Sequence, residues 1–347
     1  MTYNILAEIY ATQQQYPYCD FWSLGFDYRW ANLKREMQMV EGDVFCLQEV
    51  QSDHYQSHVM PFFQSIGYDS LYKQKTRDSM GPAGKVDGCA LFWRSNKFRL
   101  ETQWSIEFND LAGRELSRMG LNPRSEEGAQ YLNRLKKDNV AQVVVLEALG
   151  PAPKGSKSAA VGALVGTGVK VCVVNTHLYS NKDFPSVKLW QAWQLVQQVE
   201  DYALSRNLPL VICGDFNSTP TSAVYDFLSG QGVHPQHPDL SDNGAASDSR
   251  RDRILPDPRL LTHGLNLASA YSAVVGAEPA YTNYTENFKG VLDYIWFGGG
   301  GGGLRPLSTS PVLEENLIKR HGEALPSTQF GSDHVLLLAD MLIGGGD

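Results

Sequence analysis

The sequence predicts an α/β fold: two packed β-sheets with helices on their outer faces. Two observations carry this. Apolar runs of strand length alternate with stretches of helical spacing through both halves of the chain, and no linker separates two self-sufficient units. Several of the apolar runs end in a carboxylate, an amide or an imidazole, so polar groups gather where strands stop. A length of 347 residues suits one large domain or two ordinary ones, and the recurring pattern favours one.

The elements follow in order. YNILAEIY at the start alternates like a strand. A domain that opens inside a strand implies a segment upstream, so the unit is read as 1–347, truncated at its N-terminus. From 28 to 42, Trp30, Leu33, Met37 and Val40 have helical spacing, with Gly42 as a C-terminal stop. Residues 43–50 form a strand ending in Gln48-Glu49. SDHYQSHVMPFFQSIGY reads as a helix capped by Ser52 and bent or split at Pro61. Residues 86–95 and 139–149 are strands, and the charged span 96–138 between them reads as irregular. Residues 150–168, rich in Gly, Ala, Pro and Ser, read as a flexible insertion in a hairpin. A strand at 169–178 and a helix at 186–206 follow, the helix with Leu189, Trp193, Val196, Val199 and Ala203 on one face. LVICGDFNS (210–218) is a buried strand that delivers Asp215 and Asn217, two apart and facing the same way, into one cavity. Taken alone, that stretch is equally well read as a strand ending in an Asx turn. Then come a shorter helix, SAVYDFLSGQG, and a polar surface insertion at about 238–258. The strand 291–297 runs into a flexible run of six glycines at 298–303, and a last strand is expected at 335–342.

Composition narrows the function. Hydrophobic residues at 42% and charged residues at 20% are ordinary for a soluble globular chain. A net charge of −8 excludes a protein that wraps long nucleic acid by charge alone. It suits an enzyme that grips a short anionic segment through a metal ion and a few chosen side chains. The five cysteines include no Cys-x-x-Cys pair, and Cys46, Cys172 and Cys213 lie in apolar runs. This argues for a reducing compartment, cytoplasmic or also nuclear, and against zinc. No apolar run reaches the length of a membrane span, so no membrane partner is expected.

The polar strand ends form a set: Asn4, Glu49, His177, Asp215, Asn217, Asp293, Asp333 and His334. A lone strand-end His is more often a satisfied core residue than a catalyst. Four carboxylates converging with two imidazoles are another matter, because they repel unless a hard cation sits among them. Oxygen donors without Cys select Mg²⁺, with Mn²⁺ as the alternative, and the carboxylate count leaves one ion or two open. Such sites activate water and stabilise phosphate oxyanions.

The segments CLQEVQSDHY, CGDFNSTP and GSDH together resemble the exonuclease/endonuclease/phosphatase superfamily, of DNase-I-like fold. YTNYTENFKGVLDYIWF and RLKKDNVAQVVVLE resemble, within it, the carbon catabolite repressor type of poly(A) deadenylase, the nuclease of the CCR-NOT complex. The resemblance implies a Mg²⁺-dependent 3′→5′ exoribonuclease that shortens poly(A) tails and releases 5′-AMP, with single-stranded poly(A) as substrate and CCR-NOT as partner. It implies that Glu49 is the principal metal ligand, with Asn4 beside it and Asp333 supporting the cluster. Asp215 would orient and deprotonate the attacking water. Asn217 and His177 would contact the scissile phosphate, and His334, oriented by Asp293, would sit on it. Phe288 would stack on the terminal adenine, with Asn217 supplying a hydrogen bond; the plainer reading of Phe288 is a core aromatic. Tyr179-Ser180-Asn181-Lys182 replaces a Pro-containing stretch expected after the His177 position, which leaves the base contacts there open. His54 and His58, at i and i+4, lack the His-Glu-x-x-His pattern and read as a solvated helix face. Rival readings are a dinucleotide (NADP-type) phosphatase, a DNA-repair endonuclease, or a non-catalytic scaffold.

Overall fold

The computed structural model describes residues 1–77, 85–150, 168–230, 232–241, 254–300 and 303–344. The segments at 151–167 and 242–253, which hold most of two predicted insertions, lie outside the described residues, as do glycines 301 and 302. In chain order the elements are β1 (Thr2–Asn4), α1 (Phe26–Val40), β2 (Val44–Gln51), α2 (Ser52–His54), α3 (Met60–Ser65), β3 (Tyr68–Gln74), β4 (Asp87–Arg94), β5 (Phe98–Glu107), α4 (Phe108–Arg118), α5 (Glu126–Leu135), β6 (Val140–Ala148) and β7 (Lys170–His177). They continue with α6 (Pro185–Ser205), β8 (Pro209–Asp215), α7 (Ala223–Leu228), β9 (Ala268–Ser269), α8 (Ala270–Val275), β10 (Asn283–Tyr284), β11 (Lys289–Gly290), β12 (Asp293–Gly299), β13 (Leu304–Thr309), α9 (Glu315–Lys319) and β14 (Ala339–Ile343).

Two sheets carry the architecture, one of four strands in the order β1-β2-β4-β3 and one of six in the order β5-β6-β7-β8-β12-β9. They face each other through Cys46, Leu91 and Trp93 on one side and Val144, Val171, Val173, Cys213 and Ile295 on the other. α1 and α3 cover the outer face of the first sheet through Trp30, Leu33, Met37 and Phe63. α4 to α7 cover the outer face of the second, where Trp190, Leu195 and Val199 of α6 are fully buried. The predicted α/β sandwich with helices outside is therefore the observed one.

Several local expectations are corrected. The span 96–138 is not irregular. Its strand FRLETQWSIE alternates part-buried and exposed residues, and its two short helices are amphipathic, burying Phe108, Leu111, Ala112 and Leu116 on α4 and Tyr131 and Leu135 on α5. β3 is a further strand the apolar pattern did not mark, because only Tyr68 in it is buried. Glu41, at φ 46°, takes the left-handed position that closes α1, where Gly42 was expected to act. Ser52 is the first residue of its helix and caps nothing; the N-cap is Gln51. The helix is interrupted by a π-helical turn over Tyr55–Val59, just ahead of Pro61. Gly298 and Gly299, expected to be flexible, extend β12 and pair with Leu210 and Pro209. The last strand begins at Ala339, not 335, and pairs with β13, while Leu337 bridges Thr2.

Candidate active site

The two sheets deliver polar residues to the same end of the sandwich. β1 runs parallel to β2 with Asn4 opposite Gln48, and the β2–β4 register slips between Leu47 and Val50. In that bulge Glu49 adopts φ 56° and turns its carboxylate towards the cleft. Gln48 points the other way into the core, its Nε2 donating to Asn175 Oδ1 at 2.7 Å and Thr2 Oγ1 at 3.0 Å. In the second sheet β7 runs parallel to β8, with His177 opposite Asp215, and Asp215 also faces Asp293 of β12. Gly214 makes this possible: at φ 153° a Cβ there would lie 2.0 Å from the Thr176 carbonyl oxygen.

Asn4 joins the sheets, since its Nδ2 donates to Glu49 Oε1 at 3.2 Å and to Asp215 Oδ2 at 2.9 Å. Its own Oδ1 accepts from Leu6 N, and Glu49 Oε2 accepts from Ala7 N, both at 3.0 Å. The buried Arg29 guanidinium fixes this loop by donating to the carbonyls of Ile5, Leu6, Leu24 and Gly331. Asp215 Oδ2 lies 3.5 Å from His177 Nε2 and 3.6 Å from His334 Nε2. His334 Nδ1 bonds Asp293 Oδ2 at 2.7 Å, and the same oxygen accepts from Thr282 Oγ1 at 2.7 Å. Asp333 Oδ2 accepts from Tyr16 at 2.9 Å and Asn283 at 3.1 Å.

The two imidazoles are in opposite states. Burial pulls His334 down, but Asp293, Asp333 and Asp215 outweigh it and raise its pKa well above the ordinary value. Burial and then Lys75 press His177 down to about 4. Asn217 Nδ2 donates to the Leu178 carbonyl at 3.0 Å, which fixes the amide, so its 3.0 Å contact with His177 Nε2 makes that nitrogen an acceptor. His177 is neutral, with its proton on Nδ1.

Burial, and next the charge of Asp87, push Glu49 up to about 7. Asp333 Oδ1 and Asp293 Oδ1 are buried without a hydrogen-bond partner. An all-oxygen donor set with orphaned carboxylate oxygens fits a hard divalent cation. Asp215, Asp293 and His334 offer ligand atoms within 4.8 Å of one another. Because His334 Nδ1 is already engaged by Asp293, that trio suits acid–base work.

These groups line a cavity of about 950 Å³. Phe288 stands at its mouth, 38% exposed on the turn between β10 and β11, and is not a core aromatic. Sequence reasoning missed Lys75, Arg77, Asp87 and Lys188. Lys75 bonds the buried Asp87 at 2.7 Å, and Arg77 also pairs with it. Lys188 donates to the Asn217 carbonyl at 2.7 Å and so supports the turn after Asp215. Single charged residues inside apolar segments carry no periodic signal that would have found them. His54 is not on a solvated face: it stacks on Phe26 with ring centroids 3.6 Å apart, and it joins no metal cluster among the described residues.

Fold and cleft together define a two-sheet α/β sandwich with an acidic, imidazole-flanked site at one end. The chain belongs to the endonuclease/exonuclease/phosphatase family, whose model matches residues 1–334. It is 37% identical over 359 residues to carbon catabolite repressor protein 4 homolog 1 of Arabidopsis thaliana, across 98% of this chain and 56% of that protein. It is 33% identical over 369 residues to the CCR4-Not complex 3′-5′-exoribonuclease subunit Ccr4 of Yarrowia lipolytica, across 98% and 47%. The chain thus spans about half the length of the curated relatives it matches. Among solved structures it is similar to ANGEL2, a 2′,3′-cyclic phosphatase, in complex with adenosine-2′,3′-vanadate, with TM-score 0.73, 28% identity, and 98% and 94% of the two chains covered. No helix among the described residues is long and apolar enough to cross a membrane.

Proposed function

We propose that this chain is a Mg²⁺-dependent 3′→5′ exoribonuclease that shortens poly(A) tails and releases 5′-AMP, acting as one catalytic unit in the cytoplasm as part of a CCR-NOT complex. The observation that carries this is Asp215 Oδ2, set between Asn4, neutral His177 and charged His334 in a cleft with Phe288 at its mouth. The likeness to a protein named as a 3′-5′-exoribonuclease supports RNA, worked from its 3′ end, as the substrate.

Glu49 and Asp333, with Asn4 through its second Oδ1 lone pair, would hold Mg²⁺, or Mn²⁺ in its place. The cation would supply charge to the phosphate's non-bridging oxygens and lower the pKa of water. Asp215 takes the proton of the attacking water, and its bond from Asn4 keeps Oδ2 aimed into the cleft. His334, charged and held by Asp293, places a donor on the phosphate where negative charge grows. Asn217 and His177 would contact the phosphate from the other side, which requires one Nδ2 hydrogen of Asn217 to turn from His177 Nε2 to a phosphate oxygen. Phe288 stacks the terminal adenine, and Asn217 Oδ1, left free by the amide's orientation, accepts a hydrogen bond from it.

The test is a labelled RNA with a 3′ tail of A residues, incubated with Mg²⁺ and with EDTA. Stepwise shortening that stalls at the first non-A residue and vanishes in EDTA is the expected result. Degradation blind to base identity would reduce the reading to a general nuclease. The likeness to ANGEL2 makes a second substrate worth including: release of a terminal 2′,3′-cyclic phosphate without chain shortening would replace the deadenylase reading.

A further inference from the structure

A second hollow, of about 540 Å³, lies along α4, lined by Asn109, Asp110, Arg114, Ser117, Arg118 and Lys136. Arg114, Arg118 and Lys136 are exposed, and among the described residues none of them forms an ion pair. Three unpaired cations against Asp110 stand out on a chain whose net charge is −8. The hollow is also tied to the catalytic cleft. Asn109, at the start of α4, donates to Thr76 Oγ1 at 2.8 Å and to Asp138 Oδ1 at 2.7 Å. Thr76 lies between Lys75 and Arg77, which line the cleft, and Lys136 precedes Lys137 and Asn139, which line it too. One short segment, 136–139, thus borders both hollows.

We infer that this groove carries the upstream phosphates of a single-stranded RNA whose 3′ end occupies the cleft, so that affinity depends on tail length. The inference rests on the deadenylase reading. α4 rises about 1.5 Å per residue, so Arg114 and Arg118 follow Asn109 at about 7 and 13 Å along its axis, a ladder of charges leading away from the site. Exposed, unpaired Arg and Lys side chains neutralise phosphates and release counterions without reading bases. That is what a strand being drawn through one nucleotide at a time requires.

The variant Arg114→Gln/Arg118→Gln/Lys136→Gln tests this against a control, Arg99→Gln/Arg206→Gln/Arg305→Gln, whose sites lie elsewhere on the surface. Binding of a long and a three-nucleotide oligo(A) is measured in EDTA across a salt series, and shortening of both is measured in Mg²⁺. Each phosphate contact on a single strand contributes about 0.7 to the salt slope, so the groove variant should lose about 2 from the slope on the long RNA. Its affinity for that RNA should drop about tenfold at low salt, with the trinucleotide unaffected and the control like wild type. An unchanged slope, or an equal loss in the control, overturns the groove. If wild type fails to shorten even the long RNA, the deadenylase reading fails, and the binding series in EDTA still decides the groove.

Discussion

His177 and His334 lie almost equally far from Asp215 Oδ2, at 3.5 and 3.6 Å, yet they do different chemistry. His334 has a carboxylate on its Nδ1, whereas His177 faces an amide N–H and has the Lys75 charge nearby. An imidazole with a raised pKa keeps its proton until the pH rises through that raised value. Wild-type kcat/KM should therefore hold as pH climbs past the ordinary imidazole range. Asp293→Asn removes the charge that holds the proton, so the alkaline limb should move to lower pH and kcat should fall by about 10²–10⁴-fold. An unmoved limb in a pH–rate profile would take His334 out of the acid–base chemistry. Phe288 offers a cleaner separation of binding from folding, because it is 38% exposed. Phe288→Ala should leave Tm unchanged and raise KM for A-ended RNA by about 5- to 150-fold, the equivalent of one stacked base, with a smaller effect on U-ended RNA. Equal effects on both RNAs would make Phe288 a generic wall of the cleft.

The packing of α1 on β1 predicts a pH dependence of its own. Glu36 on α1 accepts the Tyr3 hydroxyl at 2.9 Å, but its Oε1 is buried without a partner, and burial raises its carboxyl to about 7. A carboxyl with a raised folded pKa binds its proton more tightly folded than unfolded. Stability is thus full below pH 4.5 and lost as pH rises through 7, by up to about 3 kcal/mol. Glu36→Gln should remove its share of that slope in urea titrations between pH 5 and 7, leaving the share of Glu49, which is also raised to about 7, and an unchanged slope would place its origin elsewhere. Legibility at this scale followed amphipathic contrast. β2, β4, β6, β7, β8 and β12 were readable because both faces are covered, which makes each a short apolar run. β3 and β5 hid because much of each is exposed and their apolar residues are diluted. The strand-end residues of the site were legible for the converse reason: Glu49, His177, Asp215 and Asp293 each interrupt an apolar run. Lys75 and Lys188 were not, since their partners Asp87 and the Asn217 carbonyl are distant in sequence and adjacent only in the fold.

Across the whole molecule, the site is a seam. Asn4 and Glu49 belong to one sheet, Asp215 and Asp293 to the other, and the amide of Asn4 is the direct bond between the carboxylates across that seam. Burial, and then repulsion from Asp87 of its own sheet and from Asp333, raises the Glu49 pKa at this end. A cation seated there would turn that repulsion into a crosslink, so Mg²⁺ should stabilise the fold as well as serve the reaction. Binding to the folded state alone contributes about 2.7 kcal/mol at a hundred times Kd, which for a chain of this size is a Tm increase of several degrees. Glu49→Ala should remove both the Mg²⁺ increment and RNA cleavage while leaving the metal-free Tm near or above that of wild type, because the variant has lost a repelled carboxylate. The measurement is thermal unfolding of both proteins in MgCl₂ and in NaCl of equal ionic strength, so that screening of the −8 net charge is common to the two salts. Equal shifts in the two salts would show that no dedicated site joins the sheets. A Mg²⁺ shift that survives Glu49→Ala would move the cation to Asp333 or Asp215.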